Sequence, residues 1–214
     1  MSSTPFTTNE RWNSLIVHGR PQAILLKAIW FVAYTLSNMT KQSVTTAHQR
    51  IVEVPLDQFV AHTKRIVPDT VGVHLMLSDD LPGQALLMMS RRTALTVVDL
   101  LLGQRIGTTK QLGSIEQSAL GELGNVALSS FLNILAQPSW GALKPSPPAV
   151  VADPTAWMLD FAKRAMQDQQ NTIHIIDAHY HAPATSSTIQ LWILPSGISA
   201  HDEGHLTAHT IESS

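Results

Sequence analysis

The chain has 214 residues, 44% of them hydrophobic, enough for one large domain or two small ones with a proper core. Only 14% are charged and the formal net charge is −2, which leaves no basic footprint for nucleic acid and no polybasic patch for a membrane surface. Cysteine is absent, so disulfides, thiolate catalysis and cysteine-based zinc sites are excluded.

In chain order, the polar start MSSTPFTTNERWN has no secretory character. The longest apolar run, residues 23–36, is interrupted by Lys27 and falls short of a bilayer span, so a soluble cytoplasmic protein is expected. Pro21 suits a first helical turn, and 23–38 then reads as a strongly apolar helix. Residues 41–54, rich in β-branched side chains, read as a strand stopped by Pro55, and LDQFVAHT follows as a short turn or helix. Two apolar runs, 72–77 and 84–90, flank SDDLPG as a hairpin, and a helix over 91–102 ends at Gly103. After a loop to Gly113 comes SIEQSALGELGNVALSSFLNILAQ, residues 114–137, an amphipathic helix. Beyond it lie a Pro-interrupted run over 144–151, a stop at Pro154, a short helix from Thr155, and strands over 172–181 and 188–194 around APATSS. Residues 198–214 read as a polar, disordered tail.

The 114–137 helix has two unlike faces. Leu120, Leu123, Ala127, Phe131, Ile134 and Leu135 gather on one side as a core stripe. Ser118, Glu122, Asn125 and Ser129 form a nearly opposite polar stripe, with a carboxylate and a carboxamide about one turn apart. A solvated helix face is the plain reading. Against it stand the absence of Lys and Arg from the helix, and the flanking Gly121 and Gly124, each costing about 1 kcal/mol of helix propensity. Glycines there predict that another backbone or side chain comes close.

Element order before this helix recurs after it. At an offset of 99, Ala28 falls on Ala127, Leu36 on Leu135 and Pro55 on Pro154. The pattern is an internal duplication, with pseudo-repeats over about 20–103 and 114–197 of a single domain. The expected fold is α+β: two long helices on one face of a continuous, mainly antiparallel sheet, related by a pseudo-two-fold axis, plus short helices.

Ser118, three residues, Glu122, two residues, Asn125, twenty-two residues, Pro148 matches the Asp/Ser, Glu, Asn, Pro signature of the CheC, CheX and FliY chemotaxis phosphatases, with ELGN standing for their E-I-G-N. YTLSNMTKQSVTTAHQRIVEVPLDQF also resembles CheC, and the resemblance runs from about residue 20 to 197. In the first half the signature positions fall on Gly19, Ala23, Leu26 and Gln49, so that half lacks the motif and any chemistry belongs to the second.

The resemblance implies dephosphorylation of a phospho-aspartyl, CheY-like response regulator. In that role Asn125 holds the attacking water and Glu122 pairs with a lysine of the regulator. Ser118 and Ser129 belong to the docking surface, and Pro148, Gly121 and Gly124 are structural. No cofactor is expected on this chain, with Mg2+ carried by the partner receiver domain. The alternative is a non-catalytic, CheC-like adaptor that binds a receiver or a CheD-like deamidase. A FliY-like switch component is less expected, because no further domain follows residue 200. A duplicated chain suits a monomer, with a dimer left open.

Other candidates carry less. His179 and His181 share a strand face, and His201, His205 and His209 fall at i, i+4, i+8, but HDEGH lacks the Glu that follows the first His of HExxH, and no metal is expected. Asp79 and Asp80 suit a turn, and no G-x-S-x-G elbow is present. Trp12, Trp30, Trp140, Trp157 and Trp192 read as core or rim packing, with Trp140 near enough to the site helix to edge a partner interface.

Overall fold

The apolar periodicities of the sequence become helices and strands in the computed structural model, which describes residues 12, 15–16, 22–63, 69–77, 81–136, 143, 145–168, 170–196 and 209–210. The elements are α1 (Gln22–Thr40), β1 (Thr45–Pro55), α2 (Leu56–Thr63), β2 (Thr70–Met76), β3 (Gly83–Ser90), α3 (Arg91–Leu101), α4 (Ser114–Leu135), β4 (Ala149–Val151), α5 (Thr155–Gln167), β5 (Thr172–Ala182), a 3-10 turn (Pro183–Thr185), β6 (Ser187–Pro195) and β7 (His209–Thr210). Pro21, Asp79, Asp80, Trp140, His201 and His205 lie outside the described residues.

Local chemistry sets the boundaries. The Ser90 hydroxyl accepts from Thr93 N at 3.1 Å and starts α3, while Gly103, at φ +64°, turns the chain away just after it. Asp153 accepts from Thr155 N at 2.8 Å at the head of α5. Residues 41–44 turn rather than extend, with Lys41 at φ 55° and Ser37 accepting from Val44 N at 3.0 Å, so β1 begins at Thr45 instead of residue 41. β4 keeps only three residues of the expected 144–151 run, because Pro145, Pro147 and Pro148 have no N–H to give a ladder. Within the stretch read as a tail, His209 and Thr210 form β7, where Arg50 pairs with Thr210 and Ile51 with His209 on the outer edge of β1.

All strands join one antiparallel sheet of order β4-β2-β3-β6-β5-β1-β7. Without β7, the order reads the same from either end once β1, β2 and β3 are matched to β4, β5 and β6. The central pair, β3 with β6, is antiparallel through Leu87 and Leu191, so the pseudo-two-fold passes there, perpendicular to the sheet. The duplication therefore exists in three dimensions. Its halves are also interleaved: β1 of the first half lies on β5 of the second, and β4 of the second lies on β2 of the first.

Side-chain alternation divides the sheet's residues between two cores. Val73, Leu75, Ala85, Leu87, Ile176, Ala178, Leu191 and Ile193 meet α1 and α4 on one face. Leu86, Met88, Ile173, Ile175, Trp192 and Leu194 meet Phe59 of α2 and Met158, Phe161, Ala162 and Ala165 of α5 on the other. Each fully buried Leu or Phe contributes about 1.5–3 kcal/mol. Tyr180 ties the first layer together, its hydroxyl donating to Ile29 O at 3.2 Å, and burial pushes that phenol well above its ordinary range. Residues 23–40 of α1 are long and apolar enough to cross a membrane by length and composition, further than the 23–36 run suggested. Leu25, Ala28, Ile29, Val32 and Leu36 are nevertheless buried in the layer shared with α4 and the sheet.

Candidate functional site

Helix α4 lies so close to its neighbours that a side chain would clash at one of its positions and be tightly squeezed at another. A Cβ at Gly124 would sit 2.6 Å from Val73 Cγ1, and one at Gly121 would sit 3.3 Å from the ring of Pro148. The glycines thus accept the molecule's own β2 and the stretch before β4, which is the close approach the sequence called for. Pro148 is held in place by Ser146, whose hydroxyl accepts from Met76 N at 2.9 Å and whose own N–H donates to Met76 O at 2.9 Å. Leu120, Leu123, Ala127, Phe131 and Leu135 are buried, with Ile134 packed against them.

That packing turns the polar stripe outward. Ser118 and Glu122 are exposed, Asn125 and Ser129 half-buried. Among the described residues, the Glu122 and Asn125 side chains have no hydrogen-bond or ion-pair partner. A carboxylate and a carboxamide one turn apart, on a helix braced from behind, are free to meet a protein surface and a water molecule. Although the four signature residues lie in the second half, Val73 and Leu75 behind Gly124 belong to the first, so both halves build the site.

The loop leading into α4 is fixed by a buried carboxylate. Asp99, at the end of α3, accepts from Gly107 N at 2.6 Å, Thr108 N at 3.1 Å and Thr109 N at 2.8 Å. Burial alone would raise the Asp99 carboxyl, but these bonds, those from Thr109 foremost, hold it below its ordinary value. Asp99→Ala strips three backbone donors of their acceptor. It is expected to cost about 2–3 kcal/mol and to speed amide exchange at Gly107, Thr108 and Thr109 ahead of the rest of the chain.

In the first half, the positions equivalent to Glu122, Asn125, Ser129 and Asn133 are Ala23, Leu26, Trp30 and Tyr34. Trp30 is 55% exposed, Phe31 40% and Tyr34 59%, with the Phe31 and Tyr34 rings 5.6 Å apart. Of the expected core or rim positions Trp30 therefore takes no core one, whereas Trp12 and Trp192 are buried and Trp157 stacks on His74 at 4.0 Å. The helical spacing of Trp30 and Tyr34 was visible in the sequence. Its exposure was not.

A second polar cluster centres on Asp177, which the sequence does not single out, although two of its partners, His179 and Trp192, do stand out there. Asp177 on β5, only 1% exposed, accepts from Trp192 Nε1 at 2.9 Å, Gln190 Nε2 at 2.9 Å, Arg50 Nε at 3.0 Å and His179 Nε2 at 3.1 Å. Burial would raise its carboxyl, but hydrogen bonds from His179 and Gln190 and the charges of His179 and Arg50 bring it down to about 2. Among the described residues, no group of three or more His, Asp or Glu is placed to hold a metal ion.

No family model matches the chain. Among solved structures it is similar to Thermotoga maritima FliY, 17% identical with a TM-score of 0.62, over 92% of this chain and 93% of that one. It is also similar to CheX in a CheX–CheY–BeF3–Mg2+ complex from Borrelia burgdorferi, 15% identical with a TM-score of 0.51, over 82% and 97% of the two chains. The chain has the CheC/CheX/FliY fold. The same likeness extends to a FliG–FliM complex from H. pylori, at 15% identity and a TM-score of 0.56 over 91% of this chain and 97% of that one. Within the CheC/CheX/FliY fold, α4 is one of two pseudo-equivalent helices, and here only α4 carries the Glu-x-x-Asn pair.

Proposed function

We propose that this CheC-type chain is a phosphatase for a phospho-aspartyl, CheY-like receiver domain, with Glu122 and Asn125 as its working residues. The observation that carries the reading is the outward pair on α4: two unpartnered side chains one turn apart, backed by glycines packed on the sheet. A receiver supplies its own metal and lysine, which leaves the phosphatase to position water. The Asn125 carboxamide orients a water in line with the phosphorus. The water's oxygen bonds to phosphorus as the acyl P–O bond breaks, leaving the aspartate carboxylate and inorganic phosphate, and the water's proton passes to solvent. Glu122 docks against the receiver's lysine. Ser118 and Ser129 flank the contact, and Pro148 braces the helix. The reading treats residues 20–103 and 114–197 as pseudo-repeats of one domain and places the protein in the cytoplasm with its substrate.

The test is the decay of a phosphorylated CheY-like receiver from the same genome. Wild type is expected to accelerate it, and Asn125→Ala to lose at least 100-fold in turnover, on the scale of removing a residue that positions a reacting group. Glu122→Ala is expected to weaken binding as well. Binding without acceleration by wild type would move the chain to an adaptor role, toward a receiver or a CheD-like protein. That second reading draws on the likeness to FliM, which the H. pylori structure holds in complex with FliG.

A further inference from the structure

We infer that the receiver's footprint extends from α4 across α1, and that Trp30, Phe31 and Tyr34 are its apolar anchors; this rests on the proposed phosphatase reading. Three exposed aromatics on one helix make an apolar patch of the size that is often functional on a protein surface, and aromatic side chains dominate binding energy at protein interfaces. Trp30 occupies the position equivalent to Ser129 in the second half's polar stripe and Tyr34 the position one turn further on, so α1 presents an apolar face beside the vacated Ala23 and Leu26 positions.

Geometry joins the two faces. α1 and α4 lie side by side on one face of the sheet, so their outer surfaces point the same way, and packed helices lie about 8–10 Å apart. The pseudo-two-fold perpendicular to the sheet runs them antiparallel.

Area then selects the occupant. At about 200 Å2 per aromatic side chain, the three exposed portions present roughly 300 Å2. A stable specific interface takes about 800 Å2 from each partner, a disc about 16 Å in radius. A disc of that size centred on Trp30 covers the α4 stripe as well. A second copy of this chain on α1 would therefore bury Glu122 and Asn125. The occupant that satisfies both helices is a protein with an apolar rim beside a lysine and an acyl phosphate, which is the receiver itself. Lys27 is the single charged side chain on α1, so little charge has to be stripped of water when the face is covered.

The experiment compares wild type, the double variant Trp30→Ala, Tyr34→Ala, and Asn125→Ala. For each, it measures turnover of the phosphorylated receiver and affinity for the same receiver loaded with beryllofluoride. The aromatic variant is expected to raise KM and weaken beryllofluoride-receiver binding about 30-fold, with the loss in KM rather than kcat. Asn125→Ala is expected to do the reverse, losing kcat and keeping affinity. Circular dichroism confirms folding, and Trp30→Phe, Tyr34→Phe is expected to recover most of the affinity. An aromatic variant that binds as wild type while Asn125→Ala still abolishes turnover overturns the extended footprint and leaves the phosphatase reading intact. A wild-type dimer in sedimentation that the aromatic variant dissociates gives the face to a second copy and overturns it equally.

Discussion

A methyl group added at Gly124 is expected to lift the site helix off the sheet and to cost activity far more than stability. The new Cβ would lie 2.6 Å from Val73 Cγ1 and 3.1 Å from Val73 Cβ, and Val73 is a stiff, fully buried β-branched residue with no free rotamer to take. Overpacking of this kind costs about 1–3 kcal/mol, while alanine recovers about 1 kcal/mol of helix propensity, so Gly124→Ala is expected to be destabilised by about 0–2 kcal/mol and to remain folded. Helix α4 must yield by several tenths of an ångström, carrying the adjacent Asn125 with it. On the proposed phosphatase reading, in which Asn125 positions the attacking water, misplacement near 1 Å costs about 100-fold in rate. Adding Val73→Ala removes the obstructing γ-carbons and is expected to restore turnover. A Gly124→Ala protein with full activity, or a double variant no better than the single, would show that α4 is not held by this contact.

Asp177→Ala is expected to be the most destabilising of the substitutions considered, at about 3–5 kcal/mol. The side chain gathers donors from three strands: Arg50 on β1, His179 on its own β5, and Gln190 and Trp192 on β6. Without it, the indole N–H of Trp192 loses its buried acceptor, while Arg50, nearly half exposed, turns to solvent. For a chain of this size the loss lowers Tm by about 6–20 °C. The carboxyl titrates at about 2 in the fold against an ordinary 3.8. Its ionised form therefore contributes about 2 kcal/mol at neutral pH, a share that is complete above pH 4 and disappears as the pH falls from 4 to 2. Denaturation followed from pH 7 down to 2 is expected to narrow the gap between wild type and variant by about 2 kcal/mol over that window, leaving the share that does not depend on ionisation. Curves that stay parallel would remove the ionised carboxylate from the account.

Much of this fold was legible because its signals are local. The stripes of α4 follow a 3.6-residue period that the helix obeys, and Pro154, Ser90 and Gly103 mark ends that the structure keeps. The two long helices on one antiparallel sheet also followed from the repeated element order. What was hidden depends on partners far away in sequence. Nothing near Thr45 says that β1 will pair with a strand 127 residues on, and Asp177 looks like a stray charge in TIHIIDAHYHA until three strands bring its donors together. β4 was overextended because apolar and β-branched content hid the missing N–H groups of three prolines. Within the site, spacing gave the outward stripe, while the surface the glycines approach could be read only from β2 and β4 in place. Trp30 reads as packing in the sequence because an apolar residue on an apolar helix carries no mark of its exposure, and Phe31 and Tyr34 carry no signal of their own for the same reason.

The interleaving of the halves has a consequence for synthesis on the ribosome. β1 is complete at Pro55, but its partner β5 begins only at Thr172. At about 5–20 residues per second, β1 waits roughly 6–25 s with an open hydrogen-bonding edge. For that time the nascent chain displays an unpaired strand beside a bare apolar helix, α1, whose companion α4 also arrives late. Folding of the first half cannot close on itself, and holdase chaperones are expected to engage the growing chain until the second half emerges.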